Sequence, residues 1–166
     1  MNNRLVPSAM KTPSLRSWCV FVSLAGACLG ASSCGSKNDD QPQIPYAPVN
    51  LSINITNQQY AALRNDNGAV TLPVKGPDGD GGVRGVIVVR QSAGNFLAFE
   101  RNCPYRPYDA DPCALVSLDR NSRLFMRDSC CSSQFDLRGQ SIGGPAARPL
   151  KQYRTNLQGS LLSITN

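Results

Sequence analysis

A twin cysteine opens the most constraining stretch of this chain, residues 130–150, CCSSQFDLRGQSIGGPAARPL. Behind Cys130 and Cys131, Phe135 and Leu137 alternate with Gln134, Asp136 and Arg138, the period of a half-buried strand. Gly139, Gly143, Gly144, Pro145 and Pro149 then rule out a helix and demand turns. A second cysteine loop, Cys103-Pro104-Tyr105, follows another strand-like run. Two cysteine-bearing loops on a strand-rich scaffold can meet in space and make one site.

The surrounding sequence supplies that scaffold. Leu51, Ile53 and Ile55 alternate with Ser52, Asn54 and Thr56. Residues 58–64 suit one helical turn or a loop, and residues 70–74, carrying Pro73, suit an edge strand. Residues 76–82, GPDGDGG, read as a flexible loop; Asp78 and Asp80 have calcium-loop spacing, but the downstream Glu is missing. Residues 85–89 are nearly continuously apolar, the mark of a strand buried on both faces, and a turn at 92–95 returns the chain along residues 95–100. Hairpins are expected at 114–127 and 151–165, around turns at 119–122 and 158–160. The fold class is therefore all-β, a small sandwich or open barrel of stacked antiparallel sheets.

Residues 1–33 read as a signal peptide. Arg4, Lys11 and Arg16 precede the apolar run WCVFVSLAGACLGA, and a small-residue cleavage site follows. The ending Ser32-Ser33-Cys34 resembles a bacterial lipobox. That resemblance implies lipid on Cys34, with Cys28 the weaker rival, and a cell-envelope location facing the periplasm or associated with the outer membrane. Residues 34–48 are then a lipidated tether, polar and proline-rich and expected to be extended and mobile, and residues 49–166 are the domain. Losing the leader lowers the formal charge from +6 to +3, so the basic balance belongs partly to the leader. The remaining Arg residues form no aromatic-interleaved stripe, and no nucleic-acid partner is expected.

The chain has seven cysteines and no histidine. The missing histidine removes Ser-His-Asp and Cys-His chemistry and the commonest metal ligand, so any catalysis would need Cys, Asp, Glu, Tyr or Lys, and no catalytic residue is assigned. Past the leader and Cys34, the cysteines are Cys103, Cys113, Cys130 and Cys131, an even number that favours disulfides in an exported chain. Their pairing is open among three possibilities. Zinc or a two-iron cluster on these thiolates is disfavoured, because adjacent cysteines diverge in a strand and no C-x-x-C pair exists. A thiol redox role lacks the helix-start C-x-x-C that lowers a thiol pKa. Tyr105, Arg106 and Tyr108 could line a recognition face. Asp109 and Asp111 read as solvated loop carboxylates.

Residues from about 84 to 166 resemble the Rieske iron–sulfur domain family. Its second loop reads C-P-C-H-G-S-x-F-D, then a glycine turn, then G-G-P-A-x-x-P-L. Ser133, Phe135, Asp136, Gly139, Gly143, Gly144, Pro145, Ala146, Pro149 and Leu150 stand at matching positions. The first loop, C-x-H, is answered only by Cys103 and Tyr105. A Rieske centre takes two Cys on one iron and two His on the other. The resemblance places those four positions at Cys103, Tyr105, Asp128 and Cys131, a degenerate set without either histidine. It implies a stacked β fold whose cluster site is lost, with no metal or other cofactor expected; a 2Fe-2S cluster is the alternative. It further implies disulfides Cys103–Cys131 and Cys113–Cys130 in its place, and a structural or interaction role beside an unnamed envelope partner.

Overall fold

The computed structural model describes residues 43–108 and 115–166. The expected signal peptide, Cys28, Cys34 and the expected tether up to residue 42 lie outside the described residues, as do Asp109, Asp111 and Cys113. The all-β expectation holds. The strands are β1 (Val49–Asn54), β2 (Ala69–Leu72), β3 (Lys75–Gly76), β4 (Gly79–Gly81), β5 (Val86–Ser92) and β6 (Asn95–Glu100). Then follow β7 (Val116–Leu118), β8 (Phe125–Asp128), β9 (Gln134–Asp136), β10 (Ser141–Gly143), β11 (Gln152–Gln158) and β12 (Leu161–Thr165). A 3-10 segment, Gln58–Arg64, links β1 to β2.

Eight strands form one antiparallel sheet, ordered β2-β5-β6-β11-β12-β1-β4-β3, and four form a second, β10-β9-β8-β7. The alternation in β1 registers on β12, with Leu51 opposite Ile164 and Ile53 opposite Leu162. The apolar run of β5 is explained by two cores. Val86 and Val88 enter one with Leu51, Ile53, Phe96 and Leu162. Ile87 and Val89 point the other way, into a second core with Phe99, Cys103, Met126, Phe135 and Leu150. This second core draws on both sheets and lies directly beneath the two cysteine loops. β2, with Pro73 just beyond its end, is an edge strand as expected.

Three local readings change. Residues 76–82 are not a flexible loop: β3 and β4 form a small hairpin paired to β1, which offers a free edge there. Asp78 accepts a hydrogen bond from the Tyr60 hydroxyl, and the Ser52 N–H donates to the Asp78 carbonyl at 3.0 Å. The described end of the tether packs on the domain. The Pro48 carbonyl accepts from the Gly82 N–H at 3.1 Å, the Ala47 carbonyl accepts from Asn166 Nδ2 at 3.1 Å, and Lys151 Nζ lies 5.7 Å from the Tyr46 ring centroid. The glycine-rich stretch after β9 adds a short strand, β10, paired to β9 with an irregularity between Ser141 and Gly143.

Candidate functional site

The first cysteine loop leaves β6 at Glu100, which is fully buried. Glu100 Oε2 accepts from the Val83 N–H at 2.8 Å and the Tyr153 hydroxyl at 2.7 Å. Its Oε1 accepts from the Arg84 N–H at 2.9 Å and the Asn102 N–H at 3.1 Å. Both oxygens are thus satisfied, as a buried carboxylate requires. The next residues bind the loop to the second sheet: the Val116 N–H donates to the Arg101 carbonyl at 2.9 Å, and Arg101 Nε to the Val116 carbonyl at 3.1 Å. Buried Asn102 donates through Nδ2 to the Pro107 carbonyl at 2.8 Å. Cys103 follows, buried and packed in the second core.

The second loop, residues 129–133, joins β8 to β9. Asp128 closes it from within, because its Oδ1 accepts from the N–H groups of Cys130 and Cys131 at 2.8 and 2.9 Å. Its backbone closes the same loop, with the Asp128 N–H donating to the Ser133 carbonyl at 2.9 Å. This side-chain turn is what an Asp supplies at such a corner. Ser133, also fully buried, accepts from the Ala146 N–H at 3.1 Å and lies 3.0 Å from Cys131 Sγ. The covering segment passes so close that a Cβ on Gly144, at φ +83°, would sit 2.6 Å from Ser133 Cα. Only glycine fits there. A Cβ on Gly139 would likewise sit 2.5 Å from the Phe99 ring.

The two loops converge. Cys103 Sγ and Cys131 Sγ lie 3.5 Å apart, and with a carboxylate oxygen of Asp128 they form a group whose donor atoms all lie within 4.8 Å of one another. The fold thus brings together three of the four positions named from the resemblance, with Cys103 and Cys131 28 residues apart in sequence. It did not give their bonding. A disulfide needs sulfurs about 2.05 Å apart, and Cys103 and Cys131 are both free. The expected Cys103–Cys131 bridge is corrected to a pair of thiols in van der Waals contact. Cys130 is disulfide-bonded; Cys113, its expected partner, lies outside the described residues. Tyr105 is half-buried against the second core, its N–H hydrogen-bonded to Cys103 and its ring under Arg106, 5.4 Å from the centroid. Tyr108 is exposed.

Burial pushes the Cys103 thiol up to about 12; the Tyr105 N–H opposes this, and Cys131 and Asp128 add to it. Cys103 is a weak nucleophile at neutral pH. The other atom of note is Asp128 Oδ2, which is buried and has no hydrogen-bond partner. Sequence reasoning missed the hydrogen-bonding roles of Glu100 and Ser133. A Glu at the end of an apolar strand was the available signal for the first.

These donors do not fit a Rieske centre. That cluster needs two imidazoles on its second iron, and the chain has no histidine. Tyr105 and Cys131 stand at the positions the resemblance assigns to them.

No family model matches the sequence, and no curated protein matches it. Among solved structures, the chain is similar to the cyanobacterial plasma membrane Rieske protein PetC3 from Synechocystis PCC 6803. The identity is 22% and the TM-score 0.46, over 71% of this chain and 99% of that chain.

Proposed function

We propose that this chain is a lipid-anchored, extracytoplasmic β domain of Rieske-like fold that no longer carries the Rieske cluster. Lipid on Cys34 holds it at the envelope membrane, and its role there is structural or one of interaction with an envelope partner. The observation that carries this reading is Asp128. It stands where the resemblance expects a thiolate ligand, and it spends one oxygen holding the second loop closed through two backbone N–H groups. The loop pair is then kept in shape by hydrogen bonds, by the disulfide at Cys130 and by Phe135 beneath, rather than by iron. The described end of the tether, packed on the domain, sets its orientation above the membrane.

The experiment combines two measurements on the full chain expressed in a bacterial envelope. Iron and acid-labile sulfide are quantified on the purified protein, with the expected result neither two irons nor two sulfides per chain. Labelled palmitate is followed into wild type and Cys34→Ser, with label and membrane retention expected to be lost in the variant. A stoichiometric two-iron cluster would return the chain to electron transfer. Label on Cys34→Ser would move the anchor elsewhere.

A second reading is favoured by one distance. Free sulfurs 3.5 Å apart can close into a disulfide with little movement, so thiol–disulfide exchange is the competing role. The high pKa of Cys103 argues against it as the attacking group.

A further inference from the structure

We propose that Cys103, Cys131 and Asp128 form a binding site for a single divalent metal ion of the zinc class. This inference rests on the reading that the two-iron cluster is gone, and asks what the residual donor set can hold. Two thiolates and one carboxylate are the ligand types that borderline-soft ions such as Zn2+ accept, in a tetrahedron with metal–sulfur bonds of about 2.3 Å. Two sulfurs on such an ion stand about 3.8 Å apart. Here they stand 3.5 Å apart, and the whole donor set lies within 4.8 Å. The loops already hold the ligands at the spacing of one ion.

Two independent features point to the same occupant. Asp128 is fully buried, yet its Oδ2 has no partner, while its Oδ1 is fully engaged. Leaving a buried carboxylate oxygen unpaired is costly. A cation bound between it and the sulfurs removes that cost. Hydrogen bonds also reach the sulfurs: the Tyr105 N–H donates to Cys103. Ser133 Oγ accepts from the Ala146 N–H, so its own hydrogen is available for Cys131 Sγ, 3.0 Å away, once that sulfur is ionised. Such outer hydrogen bonds orient and tune metal ligands. Cys131 is only partly buried, which leaves the fourth position to water. On binding, two metal–sulfur bonds and one metal–oxygen bond form, two S–H bonds break and their protons pass to solvent. No electron changes hands.

The test uses the full chain purified with reductant and then titrated anaerobically with Co2+, with Zn2+ as competitor. One equivalent should bind, with thiolate-to-cobalt charge-transfer absorption that Zn2+ abolishes. Cys131→Ser should lower the affinity at least about tenfold and reduce the charge-transfer band. Asp128→Asn is the decisive variant: its Oδ1 can still accept from Cys130 and Cys131, so the loop survives, while Oδ2 is replaced by a nitrogen that cannot ligate. It too should bind at least about tenfold more weakly, with unchanged circular dichroism. No stoichiometric uptake by the reduced wild type, or equal affinity in Asp128→Asn, would overturn the single-ion site and leave the loss of the cluster standing. Two irons with two sulfides in the protein as isolated would overturn both.

Discussion

Two buried carboxylates end the strands that feed the two cysteine loops, and they have opposite fates. Glu100, at the end of β6, accepts four hydrogen bonds, two on each oxygen. Asp128, at the end of β8, accepts two on one oxygen and none on the other. Glu100 faces backbone N–H groups and a tyrosine; Asp128 holds backbone through Oδ1, and a carboxylate oxygen of it lies within 4.8 Å of both sulfurs. The difference separates a carboxylate that completes the scaffold from one that retains an open valence in a site.

Of the two carboxylates, Glu100 carries the larger expected effect. Glu100→Gln replaces an acceptor oxygen with a donor that faces other donors, and should cost about 3 kcal/mol in urea unfolding. A cost below about 1 kcal/mol would make Glu100 no more structural than Asp128 and erase the contrast. Asp128→Ala should cost less, about 2 kcal/mol, because the N–H groups it orphans belong to partly exposed residues. Phe135, fully buried beneath both loops, serves as a yardstick of ordinary core burial, with Phe135→Ala expected near 3–5 kcal/mol.

A smaller effect depends on pH. The Tyr153 hydroxyl, donating to Glu100, has its pKa raised by burial and then by that carboxylate. Burial and the bond to Asp78 likewise push Tyr60 up to about 12. Both groups hold their protons more tightly folded than unfolded. Their contribution is therefore complete below the unfolded tyrosine pKa near 10 and lost as pH rises through the folded values. Unfolding free energy measured from pH 8 to 11.5 should fall above about pH 10. A flat profile would remove the carboxylate–tyrosine coupling from the account. Asp128→Asn, which keeps the loop's hydrogen bonds, should change stability by no more than about 0.5 kcal/mol in metal-free protein.

Much of this was legible in sequence, for reasons that differ by region. The period of Leu51, Ile53 and Ile55, and the two-sided apolar run of β5, follow from side chains alternating across a strand, so the sheets could be anticipated. The cluster of Cys103, Cys131 and Asp128 was legible only through the resemblance, since nothing local ties residues so far apart in sequence. What sequence could not give was the bonding within the cluster. Sulfurs 3.5 Å apart and sulfurs bonded to one another demand the same residue types at the same positions, and the balance is set by loop geometry at the scale of an ångström. The β3–β4 hairpin was missed for a related reason. GPDGDGG has no strand propensity of its own, and it is drawn into the sheet by the open edge of β1 and by the Tyr60–Asp78 contact.

The most direct measurement is a thiol map of the full chain taken from its own envelope compartment. The chain is denatured in alkylating agent and chelator without reductant, then digested and analysed by mass spectrometry. The account predicts alkylated Cys103 and Cys131, with Cys130 modified only after reduction. A cross-linked peptide joining Cys103 to Cys131 would contradict it, and would turn the paired thiols at the centre of the loops back into a disulfide staple.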